Sequence, residues 1–337
     1  MIRKGARNLI TDVAGLRVGQ AEDHKVRTGV TVLLPDAPMA AAADVRGGAP
    51  GTRETAALDP TSLVDGIDAI VLSGGSAFGL DAPSGVQSAL RALGRGYEMA
   101  PGLPRVPVVA GAILFDLAGG GDKNWGEESP YRALGKQAAE NAAESFALGN
   151  AGAGLGAVAG GYKGGLGSAS AVSDDGLTVG ALVAVNAVGS PVIPGTDLFW
   201  AHPYELDGEF GGRRGTVPPL DLDLPPDMKP GARAGANTTI AIVAADADLS
   251  RIELKRIAIM AADGFARALR PVHTPFDGDL VYAVATARRP LPQPRPHAVL
   301  KLGHMAADCL ARAIARAIYE AETLGKFKSY RDSFPLT

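Results

Sequence analysis

Asn237 and Thr238 meet where a stretch rich in proline, glycine and alanine, residues 218–236, gives way to the β-branched, apolar run Thr238-Thr239-Ile240-Ala241-Ile242-Val243-Ala244. A poorly packed approach followed by a strand that fixes the threonine is the local requirement for backbone self-cleavage. In that chemistry the threonine hydroxyl attacks the preceding carbonyl, and water opens the resulting ester. A threonine hydroxyl is a weak nucleophile that needs a base beside it. Once freed, the residue carries its own base: an α-amine has an unperturbed pKa near ~7.7–8.0. Spacing alone does not distinguish this from an ordinary Asn-Thr turn at a loop–strand boundary.

Other chemistry is less well supported. Gly154-Leu155-Gly156-Ala157-Val158-Ala159 fits a dinucleotide fingerprint, with Asp174 further on, but a helical segment precedes it and more glycine follows. A dinucleotide site needs a strand before the glycines and a helix opening inside them. The five histidines are far apart and none has metal-ligand spacing. Asp277-Gly278-Asp279 lacks the further acidic ligands of a calcium loop and reads by itself as a solvated turn. Ser73-Gly74-Gly75-Ser76 is no nucleophile elbow. Cys309, the single cysteine, has the spacing of a buried helix position. No metal and no cofactor are expected.

The elements that must position these residues follow from periodicity. Strands are expected over 26–34, 40–45, 67–72, 108–117, 168–172, 177–186, 238–244 and 280–284, with Asp174-Asp175-Gly176 as a hairpin turn. Helical spacing covers 80–93, 133–146 and 302–324. Ser250 and Glu253 form a capping box that opens another helix, with Leu254, Ile257, Ala261, Phe265 and Leu269 on one face. Strands mixed with long helices suggest helices packed on sheet faces.

The chain has 337 residues, 46% hydrophobic and 20% charged, with a formal net charge of −3. That balance gives no electrostatic reason to expect nucleic acid or an anionic membrane as partner. The basic cluster Arg251, Lys255 and Arg256 is expected to face water from its helix. No secretory signal or membrane span is evident, so a cytoplasmic location is expected.

Several motifs in order resemble one family. They are Asn8-Leu9-Ile10-Thr11-Asp12-Val13, the block from Asp44-Val45-Arg46-Gly47-Gly48-Ala49-Pro50-Gly51 to Thr55, Leu72-Ser73-Gly74-Gly75-Ser76, Tyr162-Lys163-Gly164-Gly165, Gly235-Ala236-Asn237-Thr238-Thr239, and the run His273 to Asp279. Together they resemble the DmpA-type aminopeptidases, which include L-aminopeptidase/D-esterases, β-peptidyl aminopeptidases and nylon-oligomer (6-aminohexanoate) endohydrolases. The resemblance implies an α/β fold of the α+β kind: a four-layer αββα sandwich like that of the N-terminal-nucleophile hydrolases. It implies one domain over 1–337, self-processed into an α chain 1–237 and a β chain 238–337, and assembled as a homotetramer of processed protomers.

Functional positions follow from the same resemblance. Thr238 takes the nucleophile's place, and Asn186 matches an asparagine whose amide is suited to hold an oxyanion. Lys163 matches a lysine that could lower the α-amine's pKa or bind an oxyanion, although a lysine in a glycine loop is ordinarily solvated. Asp277 and Asp279 stand where carboxylates would orient the new ammonium group or recognise a substrate's amino terminus. Phe115 replaces the family's tyrosine, so one oxyanion donor is missing and must come from Asn186, Lys163 or a backbone N–H. Gly74, Gly75 and Phe115 are candidate pocket residues. The implied substrate is a small peptide or amide. Two other readings remain at this stage: an acyltransferase like the ornithine acetyltransferases, and a non-cleaving binding protein of the same fold.

Overall fold

The long inner strands form where the sequence is apolar on both faces, and shorter or partly polar strands flank them. In chain order they are β1 (Arg3–Lys4), β2 (Leu16–Asp23), β3 (Thr28–Pro35), β4 (Ala40–Val45), β5 (Thr52–Arg53), β6 (Ala69–Ser73), β7 (Val109–Ile113), β8 (Val158–Ala159), β9 (Tyr162–Lys163), β10 (Gly165–Val172), β11 (Thr178–Asn186), β12 (Thr238–Ala247) and β13 (Leu280–Arg289). The helices are α1 (Ala82–Ala92), α2 (Tyr131–Glu140), α3 (Arg251–Ala261), α4 (Asp263–Ala268), α5 (Arg295–Tyr319) and α6 (Tyr330–Ser333). The computed structural model describes residues 2–220, 223–229 and 237–335. Residues 221–222 and 230–236 of the proline-rich approach to Asn237 lie outside the described residues.

Two sheets face each other. One runs β1-β10-β11-β12-β13-β4 and the other β2-β3-β6-β7-β5. Alternation decides which side chain goes where. On β11, β12 and β13, Leu182, Ala184, Ile240, Ile242, Tyr282 and Val284 meet Leu33, Ile70, Leu72, Ala110 and Ala112 of the second sheet. Their neighbours Ala181, Val183, Ala241, Val243, Val281 and Ala283 turn the other way, onto α3, α4 and α5. The second sheet's outer face, with Val30, Val32 and Val71, is covered by Val86 and Leu90 of α1 and by Tyr131 and Leu134 of α2. The result is the four-layer αββα sandwich. Burial on both faces is why these strands read as continuous apolar runs.

Differences from the expected elements have local causes. The helix expected over 133–146 ends at Glu140: Asn141 donates its side-chain amide to Gln20 O, and Ala143 pairs with Val18 of β2. The helix opened by the Ser250–Glu253 box divides at Ala262 into α3 and α4. Gly264, just past the break, lies so close to α5 that a Cβ there would stand 2.5 Å from Ala307 O. The last long helix starts at Arg295, seven residues before the expected Leu302, with proline in its first turn, and stops at Tyr319. The basic cluster is not simply solvated. Arg251 donates to Ala57, Asp59 and Ser62 carbonyls, and Lys255 donates to Ala43 O and Asp44.

This topology creates one special edge. β11 runs antiparallel to β12 and ends at Asn186, opposite Thr238. β13 runs parallel to β12, so both start at that same edge. Asp277-Gly278-Asp279, which precede β13, therefore lie beside Asn237 and Thr238, and Asn237 bridges Asp277.

Candidate active site

Thr238 is 2% exposed and opens β12. Its hydroxyl donates to the carbonyl oxygen of Asn237, across the Asn237–Thr238 peptide bond. The same oxygen accepts the Gly278 N–H at 2.9 Å. Only glycine fits at 278: a Cβ would stand 2.8 Å from Thr238 Oγ1 and 2.7 Å from Ala49 O. Asn237 is fully buried, yet among the described residues neither its Oδ1 nor its Nδ2 has a hydrogen-bond partner.

The turn that carries Gly278 is buried, contrary to the solvated turn its composition suggests. Asp277 and Asp279 are each 1% exposed. Asp279 accepts Thr239 N–H at 2.7 Å, and His273 reaches its other oxygen through N–H at 3.0 Å and Nδ1 at 2.9 Å. Asp277 accepts Val188 N–H at 3.2 Å and both the N–H and hydroxyl of Thr274. Burial, followed by repulsion from Asp279, raises the Asp277 carboxyl above its ordinary range against these hydrogen bonds.

Arg46-Gly47-Gly48-Ala49 wraps the same turn. Arg46 and Gly47 donate to Asp279 O at 2.9 and 3.1 Å, and Ala49 donates to Asp277 O at 2.8 Å. A Cβ on Gly47 would lie 2.3 Å from Asp277 O. Those glycines are thus needed for backbone-to-backbone approach.

Asn186 lies across the strand pair from Thr238, a relationship that sets Cα atoms roughly 4.5–5.5 Å apart. Its Nδ2 donates to Phe115 O at 3.0 Å, tying the two sheets together. Its Oδ1 accepts Val158 N–H at 3.0 Å and Lys229 Nζ at 3.1 Å. Phe115 therefore contributes its main-chain carbonyl here, where a tyrosine hydroxyl was lacking.

Lys163 is 1% exposed, not solvated. Nζ donates to Gly154 O at 2.9 Å and Gly164 O at 2.7 Å, so the glycine loop that mimicked a dinucleotide fingerprint holds an ammonium instead. No α-helix opens within that loop: it begins in a 3-10 turn at Gly152–Gly154, ends in β8, and is followed by β9 and β10. Burial pushes Lys163 down to about 7, with Asp116 opposing. Asp116, itself buried and raised by burial, accepts the Thr28 hydroxyl at 2.5 Å and Gly75 N–H at 2.8 Å. Gly74 and Gly75 form this cradle. A Cβ on Gly74 would lie 2.1 Å from Asp116 Oδ2, and one on Gly75, at φ +87°, would overlap the Tyr131 ring.

Sequence reasoning missed Gly278 N–H and Lys229. Lys229 lies 43 residues from Asn186 and 71 from Val158, its two side-chain partners, and no local pattern singles it out.

The sequence model for Peptidase family S58 matches residues 8–331. The chain belongs to peptidase family S58. Among its relatives is an uncharacterized aminopeptidase of Mycobacterium tuberculosis (strain ATCC 25618 / H37Rv), 43% identical over 350 residues, covering 97% of this chain and 98% of that protein. A 6-aminohexanoate-oligomer endohydrolase of Kocuria sp. (strain KY2) is 32% identical over 298 residues, covering 86% and 78%. In fold, this S58 peptidase is similar to a β-aminopeptidase of Burkholderia sp., with a TM-score of 0.71 at 23% identity over 98% of this chain and 92% of that one. It is also similar to the L-aminopeptidase D-Ala-esterase/amidase of Ochrobactrum anthropi, described as a variant of the Ntn hydrolase fold, with a TM-score of 0.68 at 21% identity over 96% and 89%. Membership of a peptidase family sets the reaction class as hydrolysis of amide bonds. Among the described residues no helix is long and apolar enough to cross a membrane.

Proposed function

We propose that this S58 peptidase is a self-processing amide hydrolase whose nucleophile is Thr238. The observation that carries the reading is the pair of donors on one carbonyl: Thr238 Oγ1 and Gly278 N–H both address Asn237 O. Attack of Oγ1 on the Asn237 carbonyl carbon would form a tetrahedral oxyanion where Gly278 N–H already points. Such a preorganised donor is worth roughly 3–4 kcal/mol. The hydroxyl proton passes to the Thr238 nitrogen as collapse breaks the C–N bond, leaving Asn237 as an ester on Oγ1 and Thr238 with a free amine. Water then hydrolyses the ester, giving chains 1–237 and 238–337.

The amine now takes the hydroxyl proton as Thr238 attacks a substrate amide. The acyl group takes the position of Asn237, and the same N–H meets its oxyanion. The leaving amine departs with a proton, and water releases the acid. Asn186 faces Thr238 across the β11–β12 pair, and the buried Lys163 pairs with Val158, whose N–H donates to Asn186, so both are assigned supporting roles. Asp277 and Asp279 supply negative charge for the Thr238 ammonium and for a substrate's own amino terminus.

The substrate class follows in the same way. The higher identity to proteins named aminopeptidases, with two buried carboxylates beside the threonine, favours short peptides, including β-peptides, with a free amino terminus. Oligomers of 6-aminohexanoate, named for more distant relatives, fit the same chemistry. We place the enzyme in the cytoplasm as a homotetramer of processed protomers. Thr238→Ala should remove both chain cleavage and hydrolysis of an aminoacyl-p-nitroanilide. Hydrolysis retained by that variant would sink the reading.

A further inference from the structure

Lys229 is unusual for a cation at a site edge. It sits in the α-chain segment that leads towards Asn237, and its own N–H is pinned to Val188 O at 2.9 Å. Nζ donates to Asn186 Oδ1 at 3.1 Å and Val158 O at 3.3 Å. Among the described residues it has no carboxylate within ion-pair distance. Its charge is balanced at longer range by Asp277 and Asp116, while burial lowers it to about 8. A lysine normally avoids such a place unless something is gained.

What is gained is control of one amide. An asparagine side chain has a donor end and an acceptor end that are nearly equal in shape. At Asn186 the choice is forced from three directions. Val158 N–H and the Lys229 ammonium are both donors, so the atom between them must be the oxygen. Phe115 O is an acceptor, so the other end must be the NH2. A cation on Oδ1 also draws electron density through the amide and makes its N–H protons stronger donors.

We propose that Lys229 is a positioning residue that acts through Asn186, locking its amide and strengthening its N–H towards the oxyanion formed at Thr238. This rests on the reading of Thr238 as nucleophile and Asn186 as a site residue. It also gives the segment before the scissile bond a task that outlasts cleavage: the α-chain tail stays anchored at Lys229 while its new end at Asn237 is released.

The test uses the full-length chain and compares wild type with Lys229→Met, Lys229→Arg, Asn186→Ala and the Lys229→Met/Asn186→Ala double variant. The readouts are kcat and KM on an aminoacyl-p-nitroanilide and the half-time of chain cleavage, with near-ultraviolet circular dichroism to check folding. Lys229→Gln substitutes for any Met variant that does not fold. Lys229→Met should lower kcat about tenfold, part of the roughly 10²–10³-fold that a complete oxyanion donor supplies. KM should stay within about twofold, as expected for an interaction made in the transition state. Lys229→Arg should recover most of kcat. The double variant should be no worse than Asn186→Ala, the non-additivity expected of residues acting as a unit. Wild-type kcat in Lys229→Met, or losses that multiply in the double variant, would overturn the proposal. Full activity in the single variant Asn186→Ala would overturn the role of Asn186 and with it the route by which Lys229 acts, while leaving Thr238 as the nucleophile.

Discussion

Gly278 donates its N–H to Asn237 O at 2.9 Å, the same oxygen that the Thr238 hydroxyl addresses. This contact exists because β12 and β13 are parallel and start at one edge, which lays the turn before β13 against the bond before β12. A donor fixed on the carbonyl before reaction costs no reorganisation during it.

Gly278→Ala should therefore slow both processing and hydrolysis by about 10²-fold. The added Cβ would press on Thr238 Oγ1 at 2.8 Å and Ala49 O at 2.7 Å, forcing the turn off the carbonyl. Processing half-times on a denaturing gel measure this directly. Wild-type processing in that variant would show that the turn accepts a Cβ without leaving the carbonyl, and would overturn the requirement for glycine at 278.

Asn237 carries a buried amide that has no partner at either end among the described residues. An unsatisfied buried polar group costs about 1–3 kcal/mol, a cost that the proposed cleavage would relieve by letting the new chain end reach water. In a Thr238→Ala background, Asn237→Leu should raise the precursor's unfolding free energy by about 1–3 kcal/mol in urea titration. Unchanged or lower stability would show that the amide is not a liability.

Lys163 titrates near 7 in the folded chain against 10.5 for an unperturbed lysine. Between those values the unfolded chain holds the extra proton, so this group makes stability rise with pH across that window. Lys163→Met removes that contribution. Melting temperatures measured from pH 6 to 10 should show wild type gaining on the variant as pH climbs above about 7. A difference that stays constant with pH would contradict a buried, depressed Lys163.

What the sequence made legible was what local pattern controls. The β-branched run from Thr238, the Ala40–Val45 strand and the Ser250–Glu253 cap all stand where periodicity and capping place them. β2 was missed because Leu16–Asp23 mixes buried and half-buried polar positions and shows no clean alternation. The site was half legible. Thr238 could be suspected from its junction, and Asn186, Lys163, Asp277 and Asp279 entered through resemblance. Their burial and partners were not readable. Lys163 sits in a glycine loop that looks solvated until the sheets close over it, and the Asp277-Gly278-Asp279 turn is covered by residues 46–49, far away in the chain. Gly278 N–H and Lys229 leave no local trace, because a backbone donor has no side chain to notice and a lone lysine is ordinary.

The central claim is that the Asn237–Thr238 bond is broken by the protein itself. Intact-mass measurement of the purified chain, repeated over prolonged incubation, tests it most directly. The account predicts two fragments, residues 1–237 and 238–337, accumulating in wild type and absent in Thr238→Ala. A wild-type chain that persists as a single 337-residue species would contradict it.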